Sequence, residues 1–337
     1  MSVHVTAPSH AQEQFLAPEK TRTLRIILST IAWSLVALAA ASVIIFFSLH
    51  ILPGDPATLM GGFDATPEQV DLIRHQYGWD RPVIVQYVQW LGGALGGDLG
   101  VSPYSKNSVT SELVQKMQVT LPLAIFSLLL ALAFALIVGV YAAVRSHTKM
   151  GHLISWLSQL GIAVPSFVVG MLLIMYVAAP FGLPFTGFPR AGWEAPQEAF
   201  RSLILPTITL AIPQGAMLTR FVRSAMLEQL NQDYVRTARA QGMGYMRTIL
   251  TQALRNAWLP LLSVIALDAA SLIMGTVVVE QVFALPGIGQ HLVASVTKRD
   301  IVMVQGFLMV LSSLVILIML LSNLASRLLD PRIRVAT

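Results

Sequence analysis

Cysteine is absent from the 337 residues, which excludes a disulfide framework and a thiolate metal site. Charge is scarce as well: Asp, Glu, Lys and Arg make up only 12% of the chain, against about 25% in an ordinary soluble domain. Hydrophobic residues fill 55% of the positions. A core of that composition would be hard to keep in water, so the bilayer is the natural solvent. Nucleotide-binding and hydrolytic signatures are missing too. The glycines at 92, 93, 96, 97 and 100 are not followed by the Gly-Lys-Ser/Thr that cradles phosphate, and read as a flexible external turn. Neither His-Glu-x-x-His nor Gly-x-Ser-x-Gly occurs, so the chain has no visible means of hydrolysing ATP and no recognisable hydrolase centre.

What the chain does have is long apolar runs. A helix that crosses a bilayer needs about 20 mostly apolar residues. Six stretches qualify: 26–51, 120–144, 155–180, 203–219, 257–279 and 303–326. The fourth is the weakest, being short and interrupted by Pro206 and Pro213. The fold class is therefore an all-α polytopic membrane protein with six transmembrane helices. The first run is too long for the apolar part of a cleaved signal peptide and reads as a retained span behind a mobile polar tail, 1–25. The transmembrane domain is 26–326 and a short tail, 327–337, follows it.

Charge placement sets the orientation. The N-terminal tail, 145–154, 220–256 and the C-terminal tail together hold fourteen Lys/Arg and five Asp/Glu. The segments 52–119, 181–202 and 280–302 hold eight and eleven. The positive-inside bias puts both termini in the cytoplasm. The net charge of +5 thus reflects topology. No nucleic-acid partner is implied, because the basic residues are not interleaved with aromatics on a groove. His147 and His152 lie five apart in a short cytoplasmic loop without further ligands, and read as solvated side chains.

The large external loop, 52–119, carries structure of its own. Pro53-Gly54-Asp55-Pro56 is a turn signal. Thr66-Pro67-Glu68-Gln69 predicts a helix start with N-cap, first-turn proline and early acid, and the helix runs to about Tyr77. A second helical patch covers 83–91, with Val85, Val88 and Trp90 suited to a membrane interface.

The polar interlude 220–256 separates two apolar runs and holds six arginines against two acids, Glu228 and Asp233. Its pattern is helical. Asn231 or Asp233 can cap a start, Tyr234, Ala238 and Gln241 share a face, and Gly242 and Gly244 supply a stop. Between them Thr237, Ala238 and Ala240 are small enough to let another surface approach the backbone. The segment reads either as a docking element for a cytoplasmic partner or as a solvated loop that fixes topology.

Within the spans, Asp268 is the one acid. An intramembrane carboxylate marks a functional position facing the bundle interior or water, or else a structural partner of a neighbouring subunit. Pro165-Ser166 sits mid-span in the third run, where a kink either lines a pathway or accommodates packing.

A family resemblance rests on these blocks taken in order. Asp233-Tyr234-Val235-Arg236-Thr237-Ala238-Arg239-Ala240-Gln241-Gly242, followed by Ala253-Leu254-Arg255-Asn256-Ala257-Trp258-Leu259-Pro260, resembles the cytoplasmic EAA-type loop of ABC-importer permeases, in the dipeptide/oligopeptide/nickel branch. Leu52-Pro53-Gly54-Asp55-Pro56, Asp80-Arg81-Pro82, Gln86-Tyr87 and Gly96-Gly97-Asp98-Leu99-Gly100 agree. So do Val164-Pro165-Ser166-Phe167, Val277-Val278-Val279-Glu280, Phe283, Pro286-Gly287-Ile288-Gly289, Arg299-Asp300, Val304-Gln305-Gly306 and Leu329-Asp330-Pro331-Arg332. The resemblance spans nearly everything from about residue 25 onward. One departure is that Arg236-Thr237-Ala238 stands where the general pattern has Glu-Ala-Ala, so no role for an acid carries over.

The resemblance implies a type I ABC-importer permease fold and a non-catalytic subunit paired with a homologous second permease. Two cytoplasmic ATPase subunits would bind ATP and Mg and dock on this loop, with no cofactor in this chain. Asp233, Tyr234, Arg236, Thr237, Ala238, Arg239, Gly242 and Gly244 would couple the ATPases to the spans. Pro165, Ser166 and Asp268 would belong to the translocation pathway. An extracytoplasmic binding protein would deliver the solute, with peptides favoured and nickel complexes or other small solutes left open. A secondary transporter is disfavoured, since Asp268 alone could couple an ion and no repeated halves are visible.

Overall fold

The computed structural model describes residues 19–51, 54–62 and 64–329. The blocks at Leu52-Pro53 and from Asp330 onward, and residues 1–18 of the N-terminal tail, lie outside the described residues. Helix α1 (Glu19–His50) begins inside the segment read as a tail, and its apolar part runs from Ile27 to His50. Its end leads into three short helices: α2 (Pro56–Gly61), α3 (Pro67–Tyr77) and α4 (Val83–Leu95). The α3 start falls where the sequence predicts it, with Thr66 as N-cap, and it is a capping box, Thr66 and Gln69 satisfying each other's backbone N–H. Gly92 and Gly93 belong to α4 and not to a turn; the chain turns only afterwards, at Gly97 and Gly100, whose φ values are 83° and 93°.

The second span is α5 (Val109–Val144). Buried Ser127, Ala131, Ala135, Gly139 and Ala143 recur every fourth residue and make a ridge of small side chains along it. Helices in lipid gain little from hydrophobic burial, and small residues let them pack closely instead. The partner is α9 (Pro196–Leu230): Gly215 lies against Ala131, and Gly139 faces Val222 and the Thr219 carbonyl.

One expectation for the spans needs correction, and another takes a definite size. The third run is bent at Pro165, where the sequence places a kink. α6 (Lys149–Ala163) and α7 (Ser166–Leu173) meet at 97° across Val164-Pro165, and a π-helical turn (Ile174–Ala178) and the short α8 (Ala179–Phe181) complete the crossing. The fourth run is neither short nor broken. Helix α9 is continuous over 35 residues through Pro206 and Pro213. It is the most enclosed of the five unbroken spans, with 61% of its apolar window buried. Packing against α5, α6, α7 and α12 holds the helix where proline removes a ladder bond.

A short cytoplasmic segment, α10 (Asp233–Ala240), then α11 (Tyr245–Thr248) and a second π-helical turn (Ile249–Ala253), leads into α12 (Leu254–Val282). Helix α13 (Ile288–Thr297) lies at the outer end and α14 (Ile301–Leu329) returns to the cytoplasmic side. Together the described residues give five unbroken spans and one bent pair. An even number of crossings brings both ends to one side of the membrane.

Candidate functional site

Helix α10 is fastened to its own chain by two side chains. Val235 is buried in a cluster with Met226 of α9 and Ile249 and Ala253 of the π-turn, and Ala238, three residues on, is buried as well. Tyr234 is half-buried and donates from its hydroxyl to Gln229 Oε1 at 2.8 Å. The opposite face carries Asp233, Arg236, Thr237, Ala240 and Gln241, all exposed, at spacings that make one stripe. The small residues therefore divide: Thr237 and Ala240 point outward, whereas Ala238 serves packing within the chain.

The helix ends are defined by backbone geometry. Gln232 occupies the N-cap position with no side-chain bond, so neither Asn231 nor Asp233 caps; Asp233 is the first helical residue. Its carboxylate favours the positive helix end. At the other end the Gly242 N–H donates to the Arg239 carbonyl and the Met243 N–H to the Ala238 carbonyl, at 3.0 and 3.1 Å. This is a Schellman motif with Gly242 at φ 86°. Gly244 is not part of the stop. It precedes α11 with ordinary extended backbone, and its carbonyl accepts from the Thr248 N–H. Arg239 lies over the Tyr245 ring at 5.0 Å, bracing the turn. Arg236 pairs with Asp233 at 3.5 Å in full solvent, a contact of little energetic weight.

The two spans joined through α10 are also paired inside the membrane. Gly275 of α12 packs on Leu210 of α9, and Gln214 Nε2 donates to Ser271 Oγ at 3.3 Å. Gln214 is half-buried and Ser271 exposed at mid-span, so a polar pair faces out of the fold at membrane depth. Sequence reasoning missed this pair; the one available signal was two polar residues in otherwise apolar runs. Asp268 lies one helical turn nearer the cytoplasm. It is 1% exposed, and neither carboxylate oxygen has a hydrogen-bond partner among the described residues.

Pro165 is exposed and Ser166 half-buried at the 97° break. Gly161 packs on Ala216, and Gly170 on Thr209 and Phe283, so the break is level with Pro213-Gln214. The fold thus gathers Asp233 through Gln241 on one helix, sets Pro165 and Ser166 beside the α9 prolines, and leaves Asp268 apart. From Tyr245 to Asp268 the helical path is ~35 Å at 1.5 Å per residue.

The outer end is pinned by buried polar groups. Glu280 is 0% exposed and accepts from Thr120 Oγ1 at 2.6 Å and from the Gln290 N–H at 3.0 Å. A side chain at Gly287 would land on that carboxylate, and one at Gly289 would meet the Val277 backbone. Those contacts explain why glycine suits both places. Asp300 accepts from Ser102 Oγ at 2.5 Å and from the Met303 N–H at 3.2 Å, tying the first external loop to the start of α14. Asp55 caps α2 and pairs with Arg74 of α3 at 2.7 Å. Burial alone would raise the Asp55 carboxyl, but the Arg74 guanidinium, the Thr58 hydroxyl and the Ala57 N–H outweigh it and hold it below its ordinary value. His291 on α13 is pushed down by burial and then by Lys116.

Comparison with known proteins identifies the family. Residues 135–335 match the family described as binding-protein-dependent transport system inner membrane component. Residues 23–124 match the N-terminal membrane component of such systems. The probable peptide ABC transporter permease protein y4tP of Sinorhizobium fredii is 38% identical over 312 residues, covering 92% of this chain and 98% of its own. The dipeptide transport system permease protein DppB of Escherichia coli is 34% identical over 335 residues, covering 92% and 99%. A solved chain of the MetNI methionine ABC transporter, in an inward-facing conformation, shares the fold. It has a TM-score of 0.53 and 20% identity, and the match covers 65% of this chain and 96% of that one. The class defined by fold and sequence is a multi-pass membrane subunit of a transport system. The chain belongs to the binding-protein-dependent transport system inner membrane components, which are non-catalytic permease subunits of ABC transporters in the inner membrane.

Proposed function

We propose that this chain forms half of a pathway that imports peptides, driven by two ATPase subunits that bind ATP and Mg and grip the outer stripe of α10. A homologous second permease supplies the other half, and an extracytoplasmic binding protein hands the solute to the outer loops. The observation that carries this reading is α10 itself. Val235 anchors it in the cluster formed by the end of α9, the π-turn and the start of α12, and Ala238 is buried beside it, yet Asp233, Arg236, Thr237, Ala240 and Gln241 are exposed. Closure of the ATPases would move α10 as a rigid handle, with Gly242 and Gly244 framing the turn behind it. The push enters α9 and α12 together and alters the surface around Gln214 and Ser271, with Asp268 one turn below and the Pro165-Ser166 break alongside. The peptide solute follows the names of the relatives, y4tP and DppB.

The test is reconstitution. Purified complex in proteoliposomes, supplied with its binding protein and ATP, should accumulate labelled di- or oligopeptide, and ATPase subunits should co-purify with the chain. ATPase-free purification, or uptake that persists without ATP, would overturn the reading. Accumulation of a metal complex with no peptide uptake would overturn the solute alone.

A further inference from the structure

Helix α4 does not have the character of a water-bathed loop helix. Its thirteen residues, VIVQYVQWLGGAL, include no charged side chain. Its large residues Ile84, Val88 and Leu95 are 70%, 60% and 82% exposed. They are spaced four and seven apart and so fall on one face. The preceding α3 is the opposite in kind: it is polar, capped at both ends, and carries the exposed Asp71.

The other side of α4 fixes its depth. The Tyr87 hydroxyl shares a hydrogen bond of 2.9 Å with Ser42 Oγ, and the Trp90 ring lies 5.9 Å from Phe46. Ser42 and Phe46 are buried residues of α1, whose apolar part ends at His50. Ser42 is therefore ~12 Å along the helix inside that outer end. Gln86, Gln89 and Trp90 line a cavity of about 370 Å³ shared with His50, Asp55 and Gln305. Helix α4 thus has a polar side turned to an outer cavity and an apolar side turned away, at a level where α1 is within the bilayer.

We propose that α4 is embedded in the outer leaflet beside α1, with Ile84, Val88 and Leu95 packed against phospholipid acyl chains. At ~20 Å it is too short to cross the ~30 Å hydrocarbon layer and serves as a wall between lipid and the polar cavity. Acyl chains are the occupant because α4 packs on Ser42 and Phe46, at a level where α1 is within the bilayer. Gly92 shares this face, four residues from Val88 and three from Leu95, and Gly93 lies opposite.

The absence of cysteine allows single labels at Ile84, Val88 and Leu95 by substitution to Cys, with Asp71→Cys as the aqueous control. In the whole transporter in nanodiscs, nitroxides at the three sites should be relaxed more by oxygen than by a water-soluble nickel chelate, with the reverse at the control. A fluorophore at the same sites should be quenched severalfold more by outer-leaflet nitroxide lipids than at Asp71. Chelate accessibility equal to the control overturns the proposal. So does protection that arises only on adding the binding protein, which would make the stripe a protein-docking surface. Should one label disturb assembly, agreement of the other two with the control is equally fatal to it.

Discussion

The Thr120 hydroxyl of α5 donates to the Glu280 carboxylate of α12 at 2.6 Å, and the same oxygen accepts the Ile288 N–H at 2.8 Å. One threonine therefore joins two spans to the start of α13, away from solvent. Thr120→Val keeps the shape but leaves the Ile288 N–H without a partner and takes a donor from a buried acid. It should cost about 1–3 kcal/mol, measured as lost thermal stability in detergent, while Thr120→Ser loses far less. Equal losses would assign the effect to packing.

Ala238 and Ala240 are both small residues of α10, and their replacements should separate. Ala238→Trp forces a large ring into a buried position and should destabilise the chain by about 1–3 kcal/mol. Ala240→Trp meets only solvent in this chain, so stability should hold while ATPase co-purification and uptake are lost. Full ATPase binding by the Ala240→Trp protein would remove the outer stripe from the docking surface.

Gly242 and Gly244 should likewise diverge. At φ 86° Gly242 is in the left-handed region, where an L side chain costs about 1–2 kcal/mol. Gly242→Ala should loosen α10, seen as faster amide exchange at Ala238 to Met243, and Gly242→Asn should do so less. Gly244→Ala, on ordinary backbone, should leave exchange unchanged.

These contrasts mark how far the sequence could be read. The α3 start was legible because an N-cap followed by a first-turn proline is a local device, complete within a few residues. The positions of Val235 and Ala238 were not, because smallness alone does not say which way a side chain points; for Val235 that depends on Met226 and Ile249 arriving from elsewhere. Helix α9 misled for a related reason. A span enclosed by protein needs fewer apolar residues and tolerates Pro206 and Pro213, so the central helix has the poorest membrane signal. Pro165 announced a disturbance, but its 97° size depends on where α7 finds its place against α9 and α12.

Asp268 offers a test in which stability and function move apart. Its carboxylate is buried with no partner among the described residues, and an unsatisfied buried polar group costs about 1–3 kcal/mol. Asp268→Leu should raise the thermal stability of the complex and lower the rate of peptide uptake. Greater stability with undiminished uptake would exclude the residue from the pathway.

The Asp55 carboxylate should reveal itself by pH. Its folded-state pKa is the lower one, so its contribution is complete above the unfolded value of about 3.9 and disappears as pH falls through the folded value. Asp55→Ala, which loses both cap and ion pair, should cost about 1 kcal/mol or slightly more, with Asp55→Asn retaining the cap. Protease resistance of the segment holding α2 and α3 should weaken below pH 4 in the native protein and weaken less in Asp55→Asn, where the lowered Glu68 carboxyl remains.

The sharp bend at Val164-Pro165 has a consequence for hydration. Pro165 has no N–H to offer the Gly161 carbonyl, and hydrocarbon supplies no substitute donor. A bare peptide oxygen there must be wetted or sheltered by protein. Level with Pro213-Gln214, the bend thus marks a depth in the membrane where a peptide oxygen must be covered by something other than lipid.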